Sequence, residues 1–305
     1  MEDMFMKKLL FIFNPHSGTG EICKYLGSVL DIFTKSGYEV VAYPTQASRD
    51  CTVKIIRDGE RFDRIVAAGG DGMLHELING VLHLNVPKQI GYIPTGTVND
   101  FARSNQIPRN IPEAAKIAAG ENIGVLDAGN FSGRYFSYVA AFGIGTSVSY
   151  ATDQKQKNRW GMLAYAANAM KELDLAHIRS ACRNMVIKAE DTILTGKFLF
   201  GSISNSRSIA GMKNLVAKDV ELDDGVLDGL FIRMPRSVRE YEQLQSSLIT
   251  RNFDAGCMYF IRAERFEIQS DPTVWTLDGE NGGEYSDIEI VTEKQALHIA
   301  LPKEV

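Results

Sequence analysis

Three short apolar runs in the first hundred residues, Leu9–Phe13, Ile65–Ala68 and Ile90–Ile93, each end in a polar loop that carries glycine. The loops are Asn14-Pro15-His16-Ser17-Gly18-Thr19-Gly20, Gly69-Gly70-Asp71-Gly72 and Pro94-Thr95-Gly96-Thr97-Val98-Asn99-Asp100. Continuous apolar runs of four or five residues mark strands buried on both faces, as in parallel sheets. Helical patterns intervene: Glu21 to about Lys35, closed by Gly37, and about Ser48 to Asp58 after a strand at Tyr38–Tyr43 and Pro44-Thr45. Alternating strands and helices imply right-handed crossovers, and hence an α/β, doubly wound parallel-sheet domain. In such sheets ligands sit outside the carboxyl ends of the strands, where all three loops fall.

Gly69-Gly70-Asp71-Gly72 is the most informative of these loops. It opens a helical pattern of Met73, Leu74, Leu77, Ile78, Val81 and Leu82, so it forms a helix N-terminus. Glycines let backbone N–H groups approach an anion, and the positive end of the helix dipole faces the same point. Asp71 would repel a phosphate there unless it held a cation or a hydroxyl proton, which points to phosphoryl transfer. By itself the same tetrapeptide also makes an ordinary strand-to-helix turn.

Around Asp127 the texture changes. β-rich runs follow at Tyr135–Phe142, Asn184–Glu190, Ile193–Ser204, Gly229–Arg233, Met258–Ser270 and Ile288–Val291, with helical stretches near Arg159–Leu173 and Ser237–Thr250. Alternation is plain from Arg262 to Ser270, and antiparallel strands of this kind build a sandwich. The expected organisation is an α/β domain over 1–128, with a final strand at about 294–305 able to return to it, and a mostly antiparallel β-sandwich domain over 129–293. The cleft between them is the expected active site.

A formal charge of −5 gives no global signature of nucleic-acid binding or of adsorption to an anionic membrane. Cys23, Cys51, Cys182 and Cys257 lie far apart without a Cys-x-x-Cys pair, which argues against zinc and a disulfide framework and for a reducing cytoplasm. The N-terminal apolar run stops after five residues at Asn14-Pro15, and no stretch reaches transmembrane length.

Neither a Walker A loop, a dinucleotide-binding glycine fingerprint nor the protein-kinase set occurs. Five other motifs do, in order: Asn14-Pro15-x-Ser17-Gly18; Gly69-Gly70-Asp71-Gly72 with Glu76; Gly96-Thr97-x-Asn99-Asp100; Asp223-Asp224-Gly225-x-x-Asp228; and Leu277-Asp278-Gly279-Glu280. Together they resemble the diacylglycerol kinase catalytic domain family, soluble bacterial lipid kinases related to sphingosine kinases and more distantly to NAD kinase. The resemblance runs from residue 8 to about 284.

It implies an ATP site lined by Asn14, Pro15, His16, Ser17, Gly18, Thr45, Gly69, Gly70, Asp71, Gly72, Met73, Leu74, His75, Glu76, Thr97, Asn99 and Asp100. Ser17 and Thr97 offer hydroxyls, and Pro15 stiffens the first loop. Asp71 and Asp100 become Mg²⁺ partners at the phosphates, although Asp100 is also placed to cap a helix from Phe101. A lipid hydroxyl needs a proton acceptor as it attacks the γ-phosphoryl group, and the resemblance puts this task on Glu280 or Asp278, with Glu280 favoured. Without the resemblance, Asp278-Gly279 is a hairpin turn. A second, structural Mg²⁺ is implied at Asp224, Asp228 and the backbone near Glu221 and Val226, where the residues alone suggest only an Asp-Gly turn. Asp127 is implied to anchor the region between the domains.

Two positions depart from the family pattern, which has threonine where Met73 stands and asparagine where His75 stands. They motivate a rival expectation of a nucleotide-binding regulator with weakened catalysis. A second rival is a kinase of a soluble substrate, as in NAD kinase. The expected substrate is a diacylglycerol-like lipid met at the membrane surface by a cytoplasmic, peripherally associated enzyme. A basic start to an apolar helix at Lys155–Trp160 and a second basic patch at Arg233–Arg239 are where it could touch lipid headgroups. An exposed strand of the β domain could pair across a two-fold axis in a homodimer.

Overall fold

The computed structural model describes residues 6–144, 180–205, 208–209, 212–213, 224–250 and 255–303. The expected helix near Arg159–Leu173 and the stretch Lys155–Trp160 lie outside them. The chain divides into two compact units, Met1–Leu126 with Gln295–Val305, and Asp127–Lys294.

The first unit is α/β. Its strands are β1 (Lys7–Phe13), β2 (Tyr38–Pro44), β3 (Arg64–Gly69) and β4 (Gln89–Pro94). They lie in the order β2-β1-β3-β4, all parallel. Residues 9–13 of β1, all of β3 and residues 90–94 of β4 are buried, which is why these runs carry no alternation. The helices are α1 (Glu21–Lys35), α2 (Asp50–Asp58), α3 (Asp71–Val81), α4 (Asp100–Ser104) and α5 (Ile111–Ala118). α1 packs with α5, and α2 with α3. α1 turns Ile22, Val29 and Phe33 inward, a helical stripe that sets its orientation. Asn110 caps α5 by accepting the Glu113 amide at 3.0 Å.

The second unit is a large antiparallel ladder. Its strands begin with β5 (Ile123–Phe131), which starts in the first unit, β6 (Arg134–Phe136), β7 (Val139–Gly143), β8 (Arg183–Ala189) and β9 (Thr192–Ser204). The two-residue strands β10 (Ser208–Ile209) and β11 (Met212–Lys213) pair with each other. β12 (Leu227–Arg233), helix α6 (Val238–Thr250), β13 (Met258–Ala263), β14 (Arg265–Leu277) and β15 (Glu280–Ala300) follow. The end of β15 belongs to the first unit, where His298 and Ile299 pair in parallel with Gln89 and Ile90 of β4.

Where two stacked sheets were expected, the strands form one ladder, β13-β12-β9-β7-β14-β15, with β8 also bridging β9 and β14 at a different stretch of both. The ladder folds over itself: β12 and β14 are not neighbours, yet Phe231 and Phe266 stand 6.1 Å apart. Trp275, fully buried, meets Phe142 at 4.8 Å and Phe131 at 5.2 Å in tilted ring contacts in the same core. α6 covers the opposite face of β12 with Leu244 and Leu248 against Leu230 and Ile232. Both faces of β12 are thus covered, and all seven of its residues are buried.

Two expected strands break. Tyr135–Phe142 splits into β6 and β7 at Ser137-Tyr138, whose amides turn to the Asp278 carboxylate. Met258–Ser270 splits at Glu264: β13 pairs with β12, whereas β14 pairs with β15, β7 and β8. The alternation of Arg262–Ser270 runs through this corner because both strands present a face to the same core. In the patch at Arg233–Arg239, Arg233 is 9% exposed with its Nη2 2.7 Å from Oε1 of Glu240, whereas Arg236 and Arg239 are exposed.

Candidate functional site

Strand register carries the loops of the first unit to one edge. Phe13 lies opposite Pro44 and Ala68, and Gly69 opposite Pro94, so the loops beginning at Asn14, Thr45, Gly70 and Thr95 leave the sheet side by side. Backbone bonds stitch their first residues together: Asn14 N to Ala68 O at 3.0 Å, Thr45 N to Phe13 O at 2.9 Å and Thr95 N to Gly69 O at 2.8 Å. Two glycines allow this closeness. A Cβ on Gly18, whose φ is +60°, would stand 2.3 Å from the Thr95 carbonyl oxygen, and one on Gly96 would stand 2.4 Å from the Gly70 Cα. No side chain caps the N-terminus of α3, which opens at Gly70 into this junction. The Thr95 hydroxyl is buried and finds no partner among the described residues. An uncapped helix start, a glycine cradle and an orphaned hydroxyl suit a phosphate-bearing ligand such as ATP.

Asp71 sits at the centre. Its Oδ2 accepts the Asn99 amide at 2.9 Å. Burial, and after it the charge of Asp100, push its carboxyl up to about 6, against the opposing hydrogen bonds from the amides of Asn99, Asp100 and Phe101. Loss of solvation also raises Asp100, which Arg103 counters from 3.8 Å. Asp71 and Asp100 are the carboxylates at this junction that could hold a divalent cation, although the described residues contain no group of three or more His, Cys, Asp or Glu placed to do so.

Asn99 is structural rather than ligand-facing. It is 2% exposed and in the left-handed region at φ 55°, its Oδ1 takes the Gly96 amide at 3.1 Å, and its Nδ2 reaches Gly96 O at 2.7 Å. Asn99, not Asp100, occupies the N-cap of α4, and Asp100 is the first helical residue. Tyr92, whose role the sequence did not disclose, places its buried hydroxyl 3.0 Å from Gly69 O and 3.3 Å from Asn99 Oδ1, tying the second loop to the third. A phenol inside an apolar strand is itself the signal, since a buried tyrosine hydroxyl needs a partner. Arg109 also went unremarked; its guanidinium donates to the carbonyls of Thr97 at 2.8 Å and Val98 at 3.1 Å.

Several expected ligand-lining residues are engaged elsewhere. Met73 and Leu74 are 8% and 2% exposed and belong to the core, and their amides bond Gly70 O. Glu76 spends both oxygens on α2, accepting the amides of Arg49 at 2.8 Å and Cys51 at 3.1 Å. His75 lies 3.3 Å from the Asn79 side chain one turn along α3. Asn14 accepts the His16 amide on its own side chain at 2.8 Å and so shapes the first loop. Ser17 is 9% exposed, whereas His16 and Thr97 are exposed.

In the second unit, Asp278 and Gly279 have φ of 50° and 85° and join β14 to β15 with Leu277 paired to Glu280. This is a two-residue hairpin turn of the type that Asp-Gly favours. Asp278 is held rather than free: Oδ1 accepts the amides of Tyr138 at 2.8 Å and Val139 at 3.0 Å, and Oδ2 that of Ser137 at 2.9 Å. Glu280, one residue beyond Gly279, is exposed. Arg134 braces the following residues by donating to the carbonyls of Asn281 and Gly282.

In the Asp224–Asp228 turn the described carboxylates are turned to Arg262. Arg262 takes Asp224 Oδ2 with Nη2 and stands with Nε 3.2 Å from Asp228 Oδ1. Asp224 Oδ1 accepts the Val226 amide at 3.1 Å, and buried Asp127 accepts the Gly225 amide at 2.7 Å. Glu221 and Asp223 lie outside the described residues.

Comparison with known proteins shows the family. Residues 8–131 match the model of the diacylglycerol kinase catalytic domain. The chain is 31% identical to the diacylglycerol kinase of Bacillus subtilis (strain 168) over 302 residues, 98% of each chain. It is 30% identical to that of Staphylococcus carnosus (strain TM300), covering 98% of this chain and 96% of the relative. The fold is shared with a crystal structure of a diacylglycerol kinase from Bacillus anthracis strain Sterne, with a TM-score of 0.76, 20% identity and 97% of each chain covered. With identity at this level along nearly its whole length, the chain belongs to the diacylglycerol kinase family of lipid kinases.

Proposed function

We propose that this kinase transfers the γ-phosphoryl group of MgATP to the hydroxyl of a diacylglycerol-like lipid, acting in the cytoplasm and meeting its substrate at the membrane surface. The first unit is its doubly wound nucleotide-binding domain. Support comes above all from the junction of the loops after β1, β3 and β4, where the uncapped α3 N-terminus, the Thr95 hydroxyl and the Asp71–Asp100 pair lie together.

In this mechanism the amides around Gly18 and Gly70–Gly72, with the hydroxyls of Ser17, Thr95 and Thr97, hold the triphosphate. Asp71 and Asp100 would hold Mg²⁺, which when bound neutralises charge on the phosphates. Asn99, steadied by Tyr92, keeps Asp71 oriented through its amide. Glu280 accepts the proton of the lipid hydroxyl. Asp278 holds the turn that carries Glu280, because its oxygens already receive three backbone amides. Met73 lies in the core with its amide on Gly70 O, so phosphate contact falls to the amides of Gly70–Gly72 and the neighbouring hydroxyls.

Labelled ATP incubated with the protein and a total lipid extract should give a labelled phospholipid, identified by mass. Glu280→Gln should abolish that transfer without lowering the melting temperature. Label appearing on a soluble acceptor such as NAD and on no lipid, or full transfer by Glu280→Gln, would overturn the assignment.

A further inference from the structure

The resemblance to the family implies a second, structural Mg²⁺ at Asp224, Asp228 and the backbone near Glu221 and Val226; Glu221 lies outside the described residues, and the described side chains of the turn do not fit a dication. Mg²⁺ takes oxygen ligands in near-ideal octahedral geometry and needs carboxylate lone pairs directed at it. Here three of the four carboxylate oxygens of Asp224 and Asp228 are turned to protein donors. Asp224 uses one oxygen on the Val226 amide and the other on Arg262, and Asp228 Oδ1 faces the same guanidinium.

The position of Arg262 is built into the strand register. Asp228 of β12 pairs directly with Arg262 of β13, so the ladder delivers the guanidinium to the turn without a long flexible reach. Of the acids it meets, Asp228 is enclosed, with 6% of its side chain exposed, and Asp224 is partly open at 23%, whereas Arg262 itself is 51% exposed. A second cation borders the turn: the Lys294 ammonium lies 3.0 Å from where a Cβ on Gly225 would stand, while bonding Glu264 at 2.5 Å. A dication placed in the turn would face both positive side chains at short range.

We propose that Arg262 takes the place of the structural Mg²⁺ in this chain, clamping Asp224 to Asp228, so that the second unit holds its fold without a divalent cation. A planar guanidinium can serve two carboxylates at once from one rigid fork, which a lysine ammonium does less well. Nothing in this proposal depends on the lipid substrate or on turnover.

The test uses the full chain carrying Asp71→Asn, which removes the cation site of the first unit from the measurement. Thermal melts in EDTA and in millimolar MgCl₂ should coincide. Adding Arg262→Gln should lower the melting temperature in EDTA by roughly 2–5 °C, with part of the loss recovered in MgCl₂ once the carboxylates are released. Arg262→Lys should fall between the two. If Arg262→Gln does not fold, the comparison of EDTA with MgCl₂ in the Arg262 protein, together with Arg262→Lys, still decides. A rise of several degrees on adding MgCl₂ to the protein that retains Arg262 would overturn the proposal, as would an Arg262→Gln protein that melts like its parent in EDTA.

Discussion

Asp71→Asn should make the protein more stable at pH 8 while ending its activity. In the folded chain the Asp71 carboxyl is pushed from 3.8 to about 6, first by burial and then by Asp100. A shift of about two units corresponds to about 3 kcal/mol of differential interaction between the two protonation states. Between pH 3.8 and about 6 the folded state holds the proton that the unfolded state releases, so stability falls as pH rises through this window and stays reduced above it. Asparagine does not ionise, and its Oδ1 can still accept the Asn99 amide that now reaches Asp71 at 2.9 Å. Exchanging a charged for a neutral acceptor costs about 1 kcal/mol. A net gain of about 1–2 kcal/mol remains above pH 7, or roughly 2–6 °C in melting temperature. Melts followed by circular dichroism from pH 5 to pH 8, without nucleotide or Mg²⁺, should show the variant overtaking the parent as pH rises. A variant that melts below the parent at pH 8, or an offset that does not change with pH, would refute the electrostatic account.

The two acids of the β14–β15 turn should separate cleanly. Asp278→Ala leaves the amides of Ser137, Tyr138 and Val139 without their acceptor and should cost roughly 2–4 kcal/mol; urea unfolding that matched the parent would contradict this. Glu280→Gln should unfold like the parent while losing phosphoryl transfer, and equal stability losses in both variants would argue against a division of labour. Gly18→Ala should lower stability by more than about 1 kcal/mol, since the position has φ of +60° and its Cβ would stand 2.3 Å from the Thr95 oxygen. It should also raise the KM for MgATP, because the first and third loops would be forced apart; an unchanged KM would mean that this contact does not shape the nucleotide site.

Much of the first unit is legible in the sequence alone. Uninterrupted apolar runs at Leu9–Phe13, Ile65–Ala68 and Ile90–Ile93 specify strands buried on both faces, and a parallel sheet then places every strand-end loop on one edge. That is why Asn14–Gly18, Gly69–Gly72 and Thr95–Asp100 meet in the structure. Asp278-Gly279 was legible as a hairpin turn for an equally local reason, since two consecutive positive φ values favour that pair.

What the chain of letters could not convey was where each polar side chain spends its hydrogen bonds. Glu76 was expected at the nucleotide and instead holds the start of α2, 25 and 27 residues away. Asp278 reaches amides about 140 residues earlier and splits a predicted strand in doing so. Arg262 meets Asp224 and Asp228 only because β13 turns away from β14 at Glu264 and pairs with β12. Periodicity and turn chemistry are short-range properties, written within a few residues, and they determined the elements and the loops. Hydrogen-bond partners and the balance of buried charge depend on which distant segments are packed together, and those were decided by the tertiary fold.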